Sequence, residues 1–256
     1  MQTQEKSWFD YNGEDRVISS HELRSRLNVQ KEDLVNARSN MPSLDAACDG
    51  FRDGELIVLS GPTKNGKTLF AQTLTNEFAK QQIFSLWFTY EVPARQFMSV
   101  FPTLPLIYMP MKLKAHDMNW VEERIHESFH KFNTRIIFID HLHFLFDMAR
   151  TKNTSLEIGQ VIRRLKTIAV QGNYCIFLLC HTTKGARENL SYESIRDSSI
   201  VSQESDTCLM IKRTPELGEN TARVRVEFHR RTGVMERVVN LSKVNGYMRE
   251  VYGEGE

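Results

Sequence analysis

Short, nearly continuous apolar runs alternate with amphipathic segments through the middle of the chain. Each apolar run has the length of a buried strand, and the runs are 55–60, 83–90, 134–140 and 174–181. Each amphipathic segment places apolar residues at helical spacing, and the segments are 67–82, 94–101, 119–132 and 156–171. This alternation predicts an α/β fold in which a mostly parallel, twisted sheet is flanked by helices.

Beyond residue 205 the pattern changes to short alternating runs, which are typical of antiparallel strands. These runs are 207–213, 222–229, 234–241 and 246–251. Turn dipeptides separate them, such as Thr232-Gly233 and Asn245-Gly246. We therefore expect antiparallel strands to extend the parallel sheet at the carboxyl-terminal end of the chain.

Residues 1–40 are polar and mixed in charge, with too few apolar side chains for a core of their own. We interpret them as an arm or linker before one large domain at 41–256, and a frayed terminus is an equally open interpretation. Within this arm, His21–Leu27 is predicted to form a short helix that Ser19 or Ser20 caps.

The 256 residues are 41% hydrophobic and 25% charged, which is the balance of an ordinary globular protein. A formal net charge of +1 excludes a strong basic field over the whole surface, so nucleic-acid binding would need a local patch. No signal peptide or membrane-spanning run is visible, which predicts no membrane partner. The four cysteines lack metal-ligand spacing, so we expect buried thiols in a reducing intracellular compartment: the cytoplasm, an organelle or a virus-infected cell.

A phosphate-binding pattern follows the first apolar run directly. Residues 61–68 match G-x-x-x-x-G-K-[ST] at every fixed position, and an amphipathic segment follows. The residues predicted to bind nucleotide here are Gly61, Pro62, Thr63, Lys64, Asn65, Gly66, Lys67 and Thr68. The glycines let backbone N–H groups point at phosphate oxygens, Lys67 is placed on the β- and γ-phosphates, and the Thr68 hydroxyl on Mg²⁺. This strand–loop–helix order predicts binding of ATP, or a related nucleoside triphosphate, with Mg²⁺.

Three chemically active side chains follow the other apolar runs. Glu91 comes after the second run, Asp140 ends the third and His181 ends the fourth. Because carboxyl ends of parallel strands meet at one edge of a sheet, we expect all three near the phosphate loop. Asp140 after four apolar residues fits the Walker B pattern and is predicted to hold Mg²⁺ through water. Glu91 is the predicted base for the attacking water, and His181 the predicted donor to the γ-phosphate.

Two histidine patterns are typical of metal sites but are set aside here. Residues His126 to His130 fit H-E-x-x-H, yet the buried stripe of the same helix leaves both histidines at its edge. No third ligand follows at a familiar spacing. The pair His141-x-His143 is likewise interpreted as local packing.

Several stretches taken together resemble the DnaB-type ring helicases. They are 54–59, Glu91, Asp140 with His141-Leu142, the stretch 194–206 and the turn Arg230-Arg231-Thr232-Gly233. In that family the 194–206 stretch reads roughly D-L-R-x-S-G-x-x-x-Q-x-[AS]-D, and the turn reads Q-R-N-G. The resemblance covers residues 43–251. It implies a RecA-like P-loop ATPase motor without the family's usual N-terminal domain, because the arm is too short to hold a collar or primase module.

The resemblance also implies an assembly and a set of roles. The motor would form a ring, of six subunits in the family, on single-stranded DNA, with ATP between neighbours and a separate primase or loader as possible partners. Lys67, Thr68, Asp140, Glu91 and His181 match the family's phosphate, metal, catalytic and sensor positions. Arg231 matches the arginine finger, whose planar fork can neutralise charge on the next subunit's phosphoryl group.

Two positions depart from the family pattern. His229 stands where bacterial members typically carry a lysine near the nucleotide, so the second cation there would become pH-sensitive. Ser199 replaces the glycine of the DNA loop, which restricts how closely the backbone can approach a strand.

Two polar segments, 147–155 and 182–199, are predicted to contact DNA. Small polar groups and scattered cations suit sequence-independent contacts with phosphates. The residues predicted to bind DNA are Arg150, Lys152, Lys184, Arg187, Arg196, Asp197 and Ser199. A pair of solvated loops is the open alternative.

The leading hypothesis from the sequence is an ATP-dependent DNA helicase or translocase of DNA replication. One alternative is a RecA-type recombinase filament, against which the setting of Glu91 and the 194–206 stretch argue. The other is a nucleotide-gated DNA-binding or loader ATPase with little unwinding, which His229, Ser199 and the short arm keep open.

Overall fold

The computed structural model describes residues 11–29, 35–147, 153–182 and 198–252. Contacts within the chain separate a first unit, up to residue 34, from a second unit that begins at Val35. In the first unit, α1 (Ser20–Val29) begins where the Ser19 hydroxyl accepts the backbone N–H of Glu22 at 3.1 Å. The predicted short helix is therefore confirmed, with Ser19 as its cap.

The second unit alternates strands and helices before it ends in a series of strands. Its helices are α2 (Pro42–Cys48), α3 (Lys67–Lys80), α4 (Ala94–Ser99), α5 (Met118–Phe132), α6 (Thr154–Gly172) and α7 (Ser198–Glu204). Its strands are β1 (Asn36–Ala37), β2 (Phe51–Arg52), β3 (Leu56–Gly61), β4 (Ser85–Thr89), β5 (Ile107–Tyr108), β6 (Ile136–Asp140), β7 (Cys175–His181), β8 (Thr207–Arg213), β9 (Thr221–His229), β10 (Met235–Val244) and β11 (Tyr247–Glu250). In the described part of the chain, no helix combines the length and apolarity that a membrane crossing needs.

Nine strands form one sheet in the order β11-β10-β9-β8-β3-β7-β6-β4-β5. The strands from β8 to β5 in this order run parallel, whereas β9, β10 and β11 are antiparallel to their neighbours. The predicted α/β fold is confirmed, including the antiparallel extension. The order also places β3, β7, β6 and β4 side by side, and these are the four strands whose ends carry the predicted site residues.

The central strand β3 shows why its sequence is apolar almost throughout. Ile57 and Leu59 are fully buried in a core on one face of the sheet, to which α3 contributes. Leu56 and Val58 are fully buried in a second core on the other face, to which α5 and α6 contribute. Because helices cover both faces of the sheet, the side chains on both faces of this strand are buried. The alternation of apolar and polar residues that a one-sided strand shows is therefore absent.

Several short elements were not predicted from the sequence. The strands β1, β2 and β5 have two residues each, and α2 has seven. Segments of this length cannot show a hydrophobic period. The one local signal was Pro42, which occupies the first position of α2, where its fixed φ favours a helix start.

Candidate nucleotide-binding site

The phosphate-loop residues connect β3 to α3. Gly66, with φ of 92°, is the cap residue of α3, and its carbonyl accepts the Phe70 N–H at 2.8 Å. Lys64 also has a positive φ, of 64°. The loop therefore turns sharply into a helix of 14 residues whose first N–H groups have no intrahelical acceptor. That arrangement is suited to an anion such as a phosphate.

The Lys67 side chain lies inside this loop and is only 5% exposed. Its ammonium donates to the carbonyl oxygens of Gly61 at 2.8 Å and Pro62 at 3.0 Å. Burial lowers the pKa of Lys67, and the nearby carboxylates of Glu91 and Asp140 oppose that effect. The lysine is thus a cation held against the loop that a triphosphate would occupy.

Thr68 and Asp140 form the pair that fits Mg²⁺. The Thr68 hydroxyl donates to Asp140 Oδ2 at 2.8 Å, and Asp140 Oδ1 is buried without a hydrogen-bond partner among the described residues. Burial raises the pKa of Asp140 to about 6, and the charge of Glu91 adds to the rise, whereas the Thr68 hydrogen bond lowers it. A hard cation would relieve this carboxylate, because hydroxyl and carboxylate oxygens are the ligands that Mg²⁺ prefers.

Glu91 lies beside two histidines at the same edge. One of its oxygens is 3.5 Å from His141 Nδ1 and 3.8 Å from His181 Nε2. Burial lowers the pKa of His141 to about 3, with further lowering from the charges of His181 and His143. Burial also lowers the pKa of His181. Both imidazoles are therefore neutral at pH 7, and Glu91 is 39% exposed at the side chain, where it can meet water.

The sheet register explains why these groups meet. Gly61 pairs with His181 across β3 and β7, and Thr89 pairs with Asp140 across β4 and β6. The predicted gathering of the phosphate loop, Glu91, Asp140 and His181 at one edge is confirmed as geometry. Their chemical roles stay predictions. His141 was missed, because its closeness to Glu91 and His181 depends on strand order and its H-x-H pattern indicated only packing.

Arg231 lies at the opposite edge of the sheet, where β3 begins. Its guanidinium donates to Glu55 Oε1 at 2.9 Å and Asp49 Oδ2 at 3.1 Å, and to the carbonyls of Cys48 and Gly50 at 2.8 and 2.9 Å. The six residues of β3, or roughly 20 Å of strand, separate this edge from the phosphate loop. The structure therefore does not bring Arg231 to its own chain's nucleotide site. Sequence spacing gave no signal of the contacts with Asp49 and Glu55.

Asp206, the last residue of the family-like stretch, connects the turn of Arg231 to β3. Its carboxylate accepts the Leu56 N–H at 2.8 Å and the Lys166 ammonium at 2.6 Å. Its backbone oxygen accepts the Arg230 N–H at 2.7 Å. The turn is thus attached to the start of the strand that ends at the phosphate loop.

His229 is 1% exposed and shapes the turn that follows it. Its Nδ1 accepts the backbone N–H of Thr232 at 3.1 Å and lies 2.9 Å from the Thr232 hydroxyl. Burial lowers the pKa of His229 to about 4, and the charge of Arg231 lowers it further. At neutral pH this residue is an uncharged part of the turn, at the sheet edge away from its own phosphate loop.

Several predicted residues lie outside what the structure describes. They are Arg150, Lys152, Lys184, Arg187, Arg196 and Asp197. Ser199 lies in α7, but its side chain is likewise outside the described part. Among the residues the structure does describe, His126 and His130 form no metal-binding group with a third ligand. His126 Nδ1 instead lies 3.1 Å from the Tyr174 hydroxyl.

Replacing Gly61 with alanine should destabilise the protein by at least about 3 kcal/mol. A Cβ on Gly61, which has φ of +150°, would lie 2.2 Å from the Ile211 carbonyl oxygen of the neighbouring strand. Gly233→Ala is the matched control, because that glycine has φ of +70° and nothing within 4 Å of its Cβ. It should cost only about 1 kcal/mol. Urea unfolding measures both, and equal losses would contradict the assigned close packing.

Stability should fall in acid because His229 stays neutral in the fold. Its pKa of about 4 lies below the unfolded value of about 6.5, so its contribution is full above pH 6.5 and is lost as pH falls toward 4. Between pH 7.5 and 5 the loss should be about 2 kcal/mol. Urea unfolding over this pH range should show that the wild type loses about 2 kcal/mol more of its free energy of unfolding than His229→Gln does. The exposed His130→Gln control should follow wild type, and parallel curves for wild type and His229→Gln would refute the assignment.

A family model, the DnaB-like helicase C terminal domain, matches residues 106–248. A curated probable replicative DNA helicase from Trieres chinensis is 22% identical over 247 residues, covering 80% of this chain and 54% of the relative. The chain therefore spans about half the length of that relative.

Two solved structures share the fold. One is an ATPase domain with a TM-score of 0.75 at 15% identity, covering 91% of this chain and 97% of that one. The other, a DnaB-like replicative helicase described with its interactions with primase, has a TM-score of 0.75 at 16% identity, covering 91% of this chain and 66% of that one. At these identities the likeness concerns the fold alone.

Proposed function

Since this chain belongs to the family of DnaB-like helicase C-terminal domains, we propose that it is an ATP-driven DNA helicase or translocase. The observation that carries the proposal is the cluster at one sheet edge. Lys67 lies in the phosphate loop, Thr68 is bonded to Asp140 at 2.8 Å, and Glu91 lies beside His181. Phosphoryl transfer to water requires a cation, a pair of metal ligands, a carboxylate and a neutral hydrogen-bond donor, and this cluster contains all of them.

Each group in this cluster has a distinct task in the proposed reaction. The loop N–H groups and Lys67 bind the β- and γ-phosphates of ATP, and Thr68 and Asp140 hold Mg²⁺, which neutralises phosphate charge when bound. Glu91 accepts the proton of the attacking water as that water approaches the γ-phosphate. His181 donates a hydrogen bond to the γ-phosphate from its neutral ring.

We further propose that a neighbouring copy of the chain completes the site. Arg231 is bound at the far edge of its own sheet, which supports a role at a nucleotide held by another subunit. In a closed ring, one face of each subunit contacts the opposite face of the next subunit. The ring that we propose has six subunits arranged in this way. Arg231 would exchange its bonds to Glu55 and Asp49 for the neighbour's γ-phosphate. His229 would support the shape of that turn instead of acting as a second cation.

Single-stranded DNA is the proposed track, and the segments around 147–155 and 182–199 are the proposed contacts. A separate primase or loader is a proposed partner. The four free cysteines are buried, which suits the proposed reducing compartment inside a cell.

The proposal is tested by measuring ATP turnover and mass in solution with the same protein. Turnover should rise when a single-stranded oligonucleotide is added, and mass with a non-hydrolysable ATP analogue and oligonucleotide should correspond to a closed ring. A helical filament in electron micrographs would favour the recombinase alternative. Tight ATP and DNA binding without stimulated turnover would favour a nucleotide-gated module.

A further inference from the structure

Glu91, His141 and His181 form a compact group of potential metal ligands, which we call the Glu-His-His cluster. One ligand atom from each residue lies within 4.8 Å of the other two. Two of the separations are shorter. One Glu91 oxygen, Oε2, lies 3.5 Å from His141 Nδ1 and 3.8 Å from His181 Nε2. Ligands on a tetrahedral Zn²⁺ with bonds of about 2.0–2.2 Å lie roughly 3.3–3.6 Å apart. Small side-chain rotations would therefore complete a three-ligand site.

The surroundings of the two histidines leave their nitrogens available. Nδ1 of His141, which faces Glu91 at 3.5 Å, is buried without a hydrogen-bond partner among the described residues, and Nε2 of His181 faces the same Glu91 oxygen at 3.8 Å. The rings approach each other with centroids 4.4 Å apart at 75°. An unsatisfied buried nitrogen is costly, and a cation bound at His141 Nδ1 would remove that cost.

We propose that the Glu-His-His cluster binds Zn²⁺ beside the Thr68–Asp140 pair. Two imidazoles and a carboxylate are a donor set for zinc, and three protein ligands leave a fourth position open. Mg²⁺ prefers oxygen ligands and is selected by Thr68 and Asp140 instead. The two sites share one sheet edge but differ in chemistry.

Zinc in this cluster inhibits ATP turnover. Glu91 coordinated to a metal cannot accept a proton from water, and His181 coordinated through Nε2 cannot donate from that nitrogen to the γ-phosphate. This inhibitory effect rests on the proposed function, whereas the binding of zinc does not. ATP turnover in Mg²⁺ should therefore fall as ZnCl₂ is added and return when the zinc is chelated.

Metal binding is measured on the full chain without nucleotide or DNA. Calorimetric titration with ZnCl₂ should give one site per chain, and MgCl₂ should not fill it. Outer-sphere partners of a metal contribute about 10–100-fold in affinity, so His141→Ala, which removes a ligand, should lose at least about 100-fold. His126→Ala is the matched control, because it removes a histidine of the rival H-E-x-x-H pattern and should leave the affinity unchanged. Circular dichroism of each variant identifies any that fails to fold, and His141→Asn then replaces it.

Co²⁺ reports the ligand type directly. A tetrahedral site with nitrogen and oxygen ligands should give visible d–d absorption without the near-ultraviolet band of a thiolate. A thiolate band would assign the metal to a cysteine and overturn the proposal. Equal zinc affinities for wild type and His141→Ala would overturn it as well. If zinc binds but DNA-stimulated ATP turnover in Mg²⁺ is unchanged, the inhibitory effect alone is overturned. If zinc binds normally but the protein shows no ATP turnover at all, the result counts against the proposed function.

Discussion

Replacing Lys67 with alanine should weaken ATP binding by at least about 100-fold and abolish measurable turnover. The ammonium is buried within the loop, where its only bonds to the described residues are those to the carbonyls of Gly61 and Pro62. A triphosphate offers a stronger acceptor than those carbonyls, since a charge-assisted hydrogen bond is about twice as strong as a neutral one. Calorimetry with a non-hydrolysable ATP analogue measures the binding loss, and phosphate release measures turnover.

Lys131→Ala is the control for this experiment. That lysine lies on α5, is exposed, and pairs only at the surface with Glu127 at 2.6 Å. Removing it deletes one cation without touching the loop, so binding and turnover should equal those of wild type. If Lys67→Ala kept wild-type turnover, the phosphate site would be assigned to the wrong residues.

Replacing Arg231 with alanine should leave ATP binding nearly intact and lower turnover by about 10³-fold. The expected loss is catalytic, because the guanidinium lies far from its own chain's phosphate loop and, in the proposed assembly, would act on charge that develops at a neighbour's phosphate. Arg230→Ala is the matched control, since that exposed neighbour on the same turn donates instead to the Gln203 carbonyl of α7. It should change turnover little.

Mixed assemblies determine which chain supplies the guanidinium. A chain with Arg231→Ala keeps its own Glu91, and a chain with Glu91→Gln keeps its own Arg231. If Arg231 acts across an interface, mixing the two inactive variants rebuilds some complete sites, and turnover should recover in proportion to the mixed interfaces. An absence of recovery at every ratio would mean that the finger acts within its own chain.

Arg231→Ala should also destabilise the isolated chain, because Glu55 then loses its bonded cation. The Glu55 side chain is 9% exposed, and breaking a buried ion pair from one side typically costs about 3 kcal/mol or more. Urea unfolding therefore accompanies the kinetic measurement, at protein concentrations matched between wild type and variant. An unchanged stability would show that water replaces the guanidinium at this position.

The phosphate loop and the strand ends were predictable from the sequence for a physical reason. A doubly covered parallel strand must be apolar until it emerges from the core, so the first polar residue after each run marks the sheet edge. Glu91, Asp140 and His181 were identified in that way, and the structure places them together.

The contacts of Arg231 and His141 were not predictable in the same way. Arg231 bonds to Glu55, which precedes it by 176 positions, and His141 meets Glu91 only because β4 and β6 are neighbours. Strand order is a property of the whole fold, and no local pattern encodes it. The same limit explains why Asp206 resembled a family motif yet gave no hint that it bonds to Leu56 and the backbone of Arg230.

The attachment of the Arg231 turn to the foot of β3 constrains how a ring of such subunits could move. Within one subunit, Arg231 and the phosphate loop lie at opposite ends of the same strand, β3. A rotation that moves one of them therefore moves the other as well. In the proposed ring, motion would therefore pass from site to site through rigid-body rotation of whole subunits. Weakening the attachment of the turn to β3 would uncouple ATP hydrolysis at successive sites, even where every catalytic side chain is intact.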